Sequence, residues 1–301
     1  MAAHTTPTLD LSSAKVTLPR ERKLITRFLD EARRSPLAAA GMIIVALSLI
    51  LALLAPLIAP YDPIAVDLPH KFLAPGPAHL FGTDDMGRDV LSRSLYGMRI
   101  SLRAAFTVLS LALGIGLVLG GISGYMGGKA DNFLMRFADL FLAFPVLVLA
   151  LAIAAALGPS LTNAMIAVTA AWWPWYARLI RGQVLTVKND LYVDAARVYG
   201  ASDLRIMLRH ILPNCISPIL VMLTMDIGSV ILMTASLSFL GLGAKPPTPE
   251  LGAMISSGRL FFREKWWAPT FPGLTIFVMV LGANLLGDAL RDILDPRMRG
   301  Y

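Results

Sequence analysis

From Leu37 to Ala59 the chain runs for 23 residues without a charged side chain. A helix of about 20 apolar residues crosses the hydrocarbon core of a bilayer, so this run predicts a first membrane span. The polar segment before it is long, unlike the short leader of a cleavable signal peptide. A second uncharged run covers Ala104 to Gly128, and a third, from Leu140 to Ala177, has 38 residues. The third is too long for one ordinary span. Gly158-Pro159-Ser160 supplies a turn in its middle, which predicts two helices joined by a tight hairpin, with Pro145 placed to kink the first. A fifth span lies within Ile216 to Phe239, interrupted by Asp226 alone, and a sixth near Ala268 to Gly287. The pattern is that of an all-α membrane protein with six transmembrane helices.

An even number of spans puts both termini on one side, and lysine and arginine decide which. The N-terminal tail, the Tyr125–Asp139 loop, the stretch from Arg178 to Asn214 and the C-terminal tail together carry eighteen, against eight on the opposite side. The Gly158 hairpin, a short loop of the kind the rule weighs most, has none. Both termini are therefore expected in the cytoplasm. The chain divides into a cytoplasmic tail over 1–36, a first transmembrane helix over 37–59 and an external segment over 60–103. A five-helix core over 104–290 follows, with a cytoplasmic loop at 178–214 and an external loop at 241–267, and then a cytoplasmic tail over 291–301. The external loop contains Pro246, Pro247 and Pro249 and cannot be one long helix. Trp172, Trp173 and Trp175, and again Trp266 and Trp267, are expected near span ends as an aromatic belt.

Composition agrees with a membrane chain: 56% of residues are hydrophobic and 16% charged. The net charge of +7 is explained by the side-to-side bias, so nucleic acid is not a needed partner. Cys215 is the single cysteine, which excludes an internal disulfide. His70 and His79 read as solvated loop histidines. Gly116, Gly120 and Gly124 repeat every four residues on one face of the second span. That spacing lets helix backbones approach closely, either within the chain or against a partner.

Against this background "DAARVYGASDLRIMLRHILPN", Asp194 to Asn214, is unusually polar. Asn189 and Asp190 can cap a helix over Leu191–Tyr199, which Gly200 can close in a left-handed conformation. Ser202 can cap a second helix, with Asp203 in its first turn and Leu204, Met207, Leu208 and Ile211 as an apolar stripe. Pro213 ends or kinks that helix. The element is two short cytoplasmic helices about a glycine turn, suited either to connecting two spans or to docking in another protein's groove.

The spacing resembles the "EAA" signature of permease subunits in binding-protein-dependent ATP-binding-cassette importers. Asp194-Ala195-Ala196, Gly200 and Leu212-Pro213 occupy its positions, with Asp194 in place of the usual glutamate and His210 in place of the usual isoleucine. "FGTDDMGRDVLSRSLYGMRISL", "LSFLGLGAKPPTPELGAMI" and "NLLGDALRDILDPR" are similar to the second permease subunit of dipeptide, oligopeptide and nickel importers. The resemblance implies a bacterial inner-membrane subunit forming half of a translocation pathway. A homologous second permease would supply the other half, two cytoplasmic ATPase subunits would bind ATP and magnesium, and an external solute-binding protein would deliver the cargo. Asp194, Ala195, Ala196, Gly200, Leu212 and Pro213 would then couple the 189–213 loop to the ATPases. The chain itself would need no cofactor.

Other functions are less well supported. Gly127-Gly128-Lys129-Ala130 lacks the first glycine and the final Ser/Thr of a phosphate-binding loop. An intramembrane enzyme would need converging catalytic groups, and the spans contain no histidine. A secondary transporter usually shows an internal repeat and buried coupling charges, and Asp226 is the clear carboxylate deep in a span. Asp226 and Asn284 either line the route of a cationic peptide or are hydrogen-bonded packing residues. The resemblance fits peptides, nickel or another small solute as cargo.

Overall fold

The computed structural model describes residues 35–294, so nearly all of the two expected tails lies outside the described residues. Helix α1, Pro36–Ile58, starts where Ser35 accepts a hydrogen bond from the Ala38 N–H at 3.3 Å. Pro36 sits in the first turn, where a missing N–H is harmless.

Helix α2, Val90–Met126, has 37 residues and begins well before Ala104. The boundary expected at 103/104 thus falls inside a helix, and the external segment ends near Asp89. Asp89 is the cap: its Oδ2 accepts from the Ser92 N–H and the Ser92 hydroxyl, both at 2.7 Å. Charged residues at 93, 99 and 103 concealed this start in the sequence. Arg93 is buried, with Nη1 donating to the Pro63 carbonyl at 2.7 Å and Nε 3.3 Å from Asp84 Oδ2. The same Asp84 oxygen takes Arg88 Nε at 2.8 Å. Buried charge is tolerated when it is paired in this way.

The third predicted span is not one kinked helix. Helix α3, Gly128–Leu142, and helix α4, Val146–Leu157, meet at 86°. Phe144 precedes Pro145, and the proline ring pushes its neighbour out of helical geometry. The 12 residues of α4 reach only about 18 Å, too short to cross a bilayer alone. The hairpin at 158–160 is present: Asn163 Nδ2 donates to the carbonyls of Leu157 and Gly158, both at 2.9 Å. Helix α5, Leu161–Val187, runs straight through Arg178, so the loop expected over 178–214 starts as helix.

Beyond it lie α6, Leu191–Val198, and α7, Asp203–Ile206. A π turn at Met207–Ile211 and a 3-10 turn at Leu212–Cys215 lead into α8, Ile216–Phe239. Helix α9, Leu251–Gly258, interrupts the external loop, and α10, Trp267–Leu294, ends the described chain. Four helical stretches are long and apolar enough to cross a membrane, or five if the bent α3–α4 pair is one span. Helix α5, with Arg178 and Arg181 in its second half, is not among them.

Trp172, Trp173 and Trp175 lie in the middle of α5, not at a span end. Trp173 is buried, with its ring 5.9 and 5.4 Å from Phe137 and Phe141 of α3. Helix α10 packs between α1 and α8, while the longest contact in the bundle is α2 against α5. The glycine stripe of α2 makes that contact, so it serves packing within the chain. A Cβ added at Gly116 would stand 2.5 Å from Tyr176 Cβ, and one at Gly120 would stand 2.3 Å from the Ala177 carbonyl oxygen. Gly121, one residue on, has open space.

This contrast makes a paired prediction. Gly120→Ala has to force two backbones apart and should destabilise the bundle by about 1–3 kcal/mol. Gly121→Ala should be neutral or stabilising, within about 1 kcal/mol. Thermal unfolding of the two variants in detergent checks the order, and equal midpoints would contradict it.

Candidate functional site

Two groups of residues from the sequence stand out in the fold. The first is the projection formed by α6 and α7. Asp190 precedes α6 in extended geometry but makes no side-chain cap bond. At the other end Gly200 has φ of +78°, and the Gly200 and Ala201 N–H groups donate to the Arg197 and Ala196 carbonyls at 2.9 and 3.0 Å. This pair of bonds satisfies the last carbonyls of the helix and requires a left-handed residue. A Cβ at Gly200 would touch nothing, so only the backbone conformation demands glycine there.

Asp194 Oδ1 accepts from Arg197 Nη1 at 2.9 Å on the exposed surface. Ala195 is exposed, whereas Ala196 is half-buried against the core. The two alanines therefore face different surroundings. Leu212 is half-buried and Pro213 exposed. Proline cannot donate to the helix ladder and its ring crowds the carbonyl four residues back. The π turn immediately before it accommodates that strain without breaking the path into α8.

The apolar stripe expected from Leu204, Met207, Leu208 and Ile211 is altered by the same π turn. Ile206 and Ile211 are the fully buried residues, five apart as one π turn requires, while Leu204 and Leu208 are exposed. Two residues that the sequence did not suggest tie the projection together. Asn214 Nδ2 donates to the Tyr192 hydroxyl at 3.0 Å and to the His210 carbonyl at 2.6 Å. No local signal marks this pairing, because it joins residues on opposite sides of the Gly200 turn.

The second group surrounds Asp226 on α8. Asp226 Oδ2 accepts from Trp172 Nε1 at 3.1 Å and from the Tyr176 hydroxyl at 2.8 Å, both on α5. Asn284 of α10 is exposed, and its Oδ1 lies 3.2 Å from a Cβ placed on Gly228. Gly228 is two residues from Asp226, about 200° around the helix. The structure therefore puts Asp226 and Asn284 on different faces of α8 and does not join them into one site. Among the described residues, no group of three or more His, Cys, Asp or Glu side chains could hold a metal ion.

A bundle of apolar helices carrying a compact polar projection defines a multi-pass helical membrane protein. Residues 116–300 match the binding-protein-dependent transport system inner membrane component family, and residues 24–75 match the N-terminal TM domain of oligopeptide transport permease C. The probable D,D-dipeptide transport system permease protein DdpC of Escherichia coli is 46% identical over 266 residues, covering 88% of this chain and 89% of its own. The dipeptide transport system permease protein DppC of Haemophilus influenzae is 46% identical over 86% of this chain and 90% of its own. The nickel transport system permease protein NikC of Escherichia coli is 42% identical over 86% and 93%. The fold resembles that of the inward-facing MetNI methionine ABC transporter, with a TM-score of 0.55 at 16% identity, covering 68% of this chain and 97% of that one. The chain belongs to the binding-protein-dependent transport system inner membrane component family, and is a permease subunit in a bacterial inner membrane.

Asp226 yields a prediction that separates its two readings. Asp226→Asn keeps an oxygen for the indole and the phenol, and should leave stability within about 1 kcal/mol of the parent. Asp226→Leu leaves the buried Tyr176 hydroxyl without this partner at a cost of about 1–3 kcal/mol, and the half-buried Trp172 indole adds less. Thermal unfolding in detergent reads the difference. Transport by a stable Asp226→Asn variant at the parent rate would identify the residue as a packing anchor, and loss of transport would put the charge on the pathway.

Proposed function

We propose that this subunit forms half of a peptide pathway and is driven by ATPases that dock on the 189–213 loop. The observation that carries the docking is the exposed apolar surface of an otherwise polar projection. Leu191 and Val198 are each 86% exposed and Tyr199 is 91% exposed, and Leu204 and Leu208 are exposed in the second limb. Large apolar side chains left this exposed outside a membrane span favour a protein interface. The partners are two cytoplasmic ATPase subunits, which hold the ATP and magnesium, a homologous second permease and an external solute-binding protein.

Peptide is the favoured cargo because dipeptide permeases reach 46% identity to this chain, though one of them stands at 42%, level with the nickel permease. Nickel is the second reading, and that same similarity supports it. The chain crosses the membrane six times, with α3–α4 as one bent crossing, the apolar half of α5 as the next, and both termini in the cytoplasm. Eighteen basic residues against eight support this orientation.

Labelling tests the orientation directly, because the native Cys215 is buried and contributes little background. A membrane-impermeant thiol reagent applied to intact cells should modify Leu260→Cys in the external loop and spare Tyr199→Cys. The reverse pattern would overturn the topology.

Docking is tested by Ala195→Arg, which points a long charge outward without disturbing the packed Ala196. Copurification of the ATPase subunits should fall about tenfold or more. Gly200→Val should also reduce it, since a β-branched residue resists positive φ by roughly 1–2 kcal/mol. Parent levels of ATPases with both variants would make the projection a simple connector.

A further inference from the structure

The projection meets the end of α2 at a polar contact that the functional reading does not use. Tyr125 is the next-to-last residue of α2. Its hydroxyl donates to Asp203 Oδ1 at 2.5 Å, joining α2 to the first turn of α7 across 78 residues of sequence. The Tyr125 backbone carbonyl accepts from Lys188 Nζ, and the same ammonium lies 5.3 Å from the Tyr125 ring centroid. Lys188 caps the end of α5. One residue thus meets α5 through its backbone and ring, and the projection through its hydroxyl.

The surroundings of Tyr125 are closely packed and cross-linked. Gly124, its neighbour, packs on α5, since an added Cβ would stand 2.9 Å from the Arg181 carbonyl oxygen. The turn that follows is clamped by Asp131, which takes the Ser123 hydroxyl at 2.5 Å and Arg181 Nε and Nη2 at 2.5 and 2.6 Å. A fork of two parallel bonds to a carboxylate fixes geometry as well as distance. Arg197 of α6, held by Asp194, also faces the Tyr125 hydroxyl, whereas the Tyr192–Asn214 bond does not reach α2.

We infer that Tyr125 is a positioning residue for coupling: its hydroxyl latches the projection to the cytoplasmic end of α2, so that a displacement of α7 is delivered to the α2–α5 seam. The inference rests on the reading of the projection as the ATPase-docking element. Val193, Ile206 and Ile211 anchor the projection by apolar burial, which resists separation but is not directional. A hydrogen bond to a carboxylate is directional and fixes where α7 sits along α2.

The test uses the full complex in proteoliposomes, with spin labels at Ile122→Cys on α2 and at the exposed Arg205→Cys on α7, outside the apolar docking surface. The parent should give a narrow distribution of label distances. Tyr125→Phe and Asp203→Ala should each broaden it, and the double variant should be no broader than the broader single. Asp203→Asn retains an oxygen that accepts the phenol proton and should stay close to the parent. ATP hydrolysis stimulated by binding protein loaded with alanyl-alanine should fall roughly threefold or more in Tyr125→Phe and Asp203→Ala, with the ATPases still bound. An unchanged distribution in both single variants, additive effects in the double, or Asp203→Asn behaving like Asp203→Ala would overturn the latch. The label distance can also be read on the chain without ATPases. A latch that holds there while the ATPases fail to copurify with the parent would condemn the docking reading alone.

Discussion

The close approach of α2 and α5 is the contact on which the rest of the bundle depends. Lipid tails are as apolar as leucine, so helices in a membrane gain little from burying greasy side chains against each other. They gain from close packing, and close packing needs small residues. The stripe at Gly116, Gly120 and Gly124 brings the α2 backbone against Tyr176, Ala177 and Arg181. Tyr176 then passes the constraint on: fully buried at Gly116, it donates its hydroxyl to Asp226 and so sets where α8 stands. Glycine pairs do the same elsewhere at smaller scale. Gly41 of α1 meets Leu285 of α10, and Gly282 of α10 meets Ile44 of α1.

Polar groups in this bundle are placed where another element can satisfy them. Arg93 would be intolerable on a buried helix face without Asp84 and the Pro63 carbonyl. Those partners come from the segment between α1 and α2, which is thereby tied to the start of α2. Trp267 Nε1 adds a second tie, donating to the Thr83 carbonyl at 3.1 Å and joining the segment to the start of α10. A stretch whose composition suggests an irregular loop is ordered because it completes the hydrogen bonding of two helix ends.

What the sequence made legible follows from this. The helix at Pro36–Ile58, the hairpin at 158–160 and the helix at Ile216–Phe239 stand almost where the apolar runs placed them. Lipid exposure and turn chemistry are written locally. The early start of α2 and the long α5 were not legible, because arginines at 93, 178 and 181 looked like boundaries. Each is paired with a carboxylate on another element: Arg93 with Asp84 in the loop before α2, and Arg178 and Arg181 with Asp139 and Asp131 on α3, 39 and 50 residues away. The Asp194–Gly200 turn was visible in full, since a glycine at a helix end carries its own conformational reason. The buried face of α7 was misread because a helical stripe assumes 3.6 residues per turn, and the π turn at Met207–Ile211 changes that spacing.

The projection has two faces with opposite requirements. A helix of eight residues such as α6 is well below the roughly 12–15 residues at which isolated helices become even marginally stable. It must therefore be held by packing, and Val193, Ile206 and Ile211 do this on the inner face. Had the outer face been polar, the element would be a complete, self-satisfied loop. Instead Leu191, Val198 and Tyr199 lie open to solvent, an arrangement that becomes favourable once another surface covers them. The inner face ends at the same place where α2, α3 and α5 converge on Tyr125, Asp131 and Arg181. A force applied to the outer face therefore meets a junction cross-linked by several hydrogen bonds. Cross-linking there and openness outside are both needed if a partner's movement is to reach the helices without being absorbed by the loop.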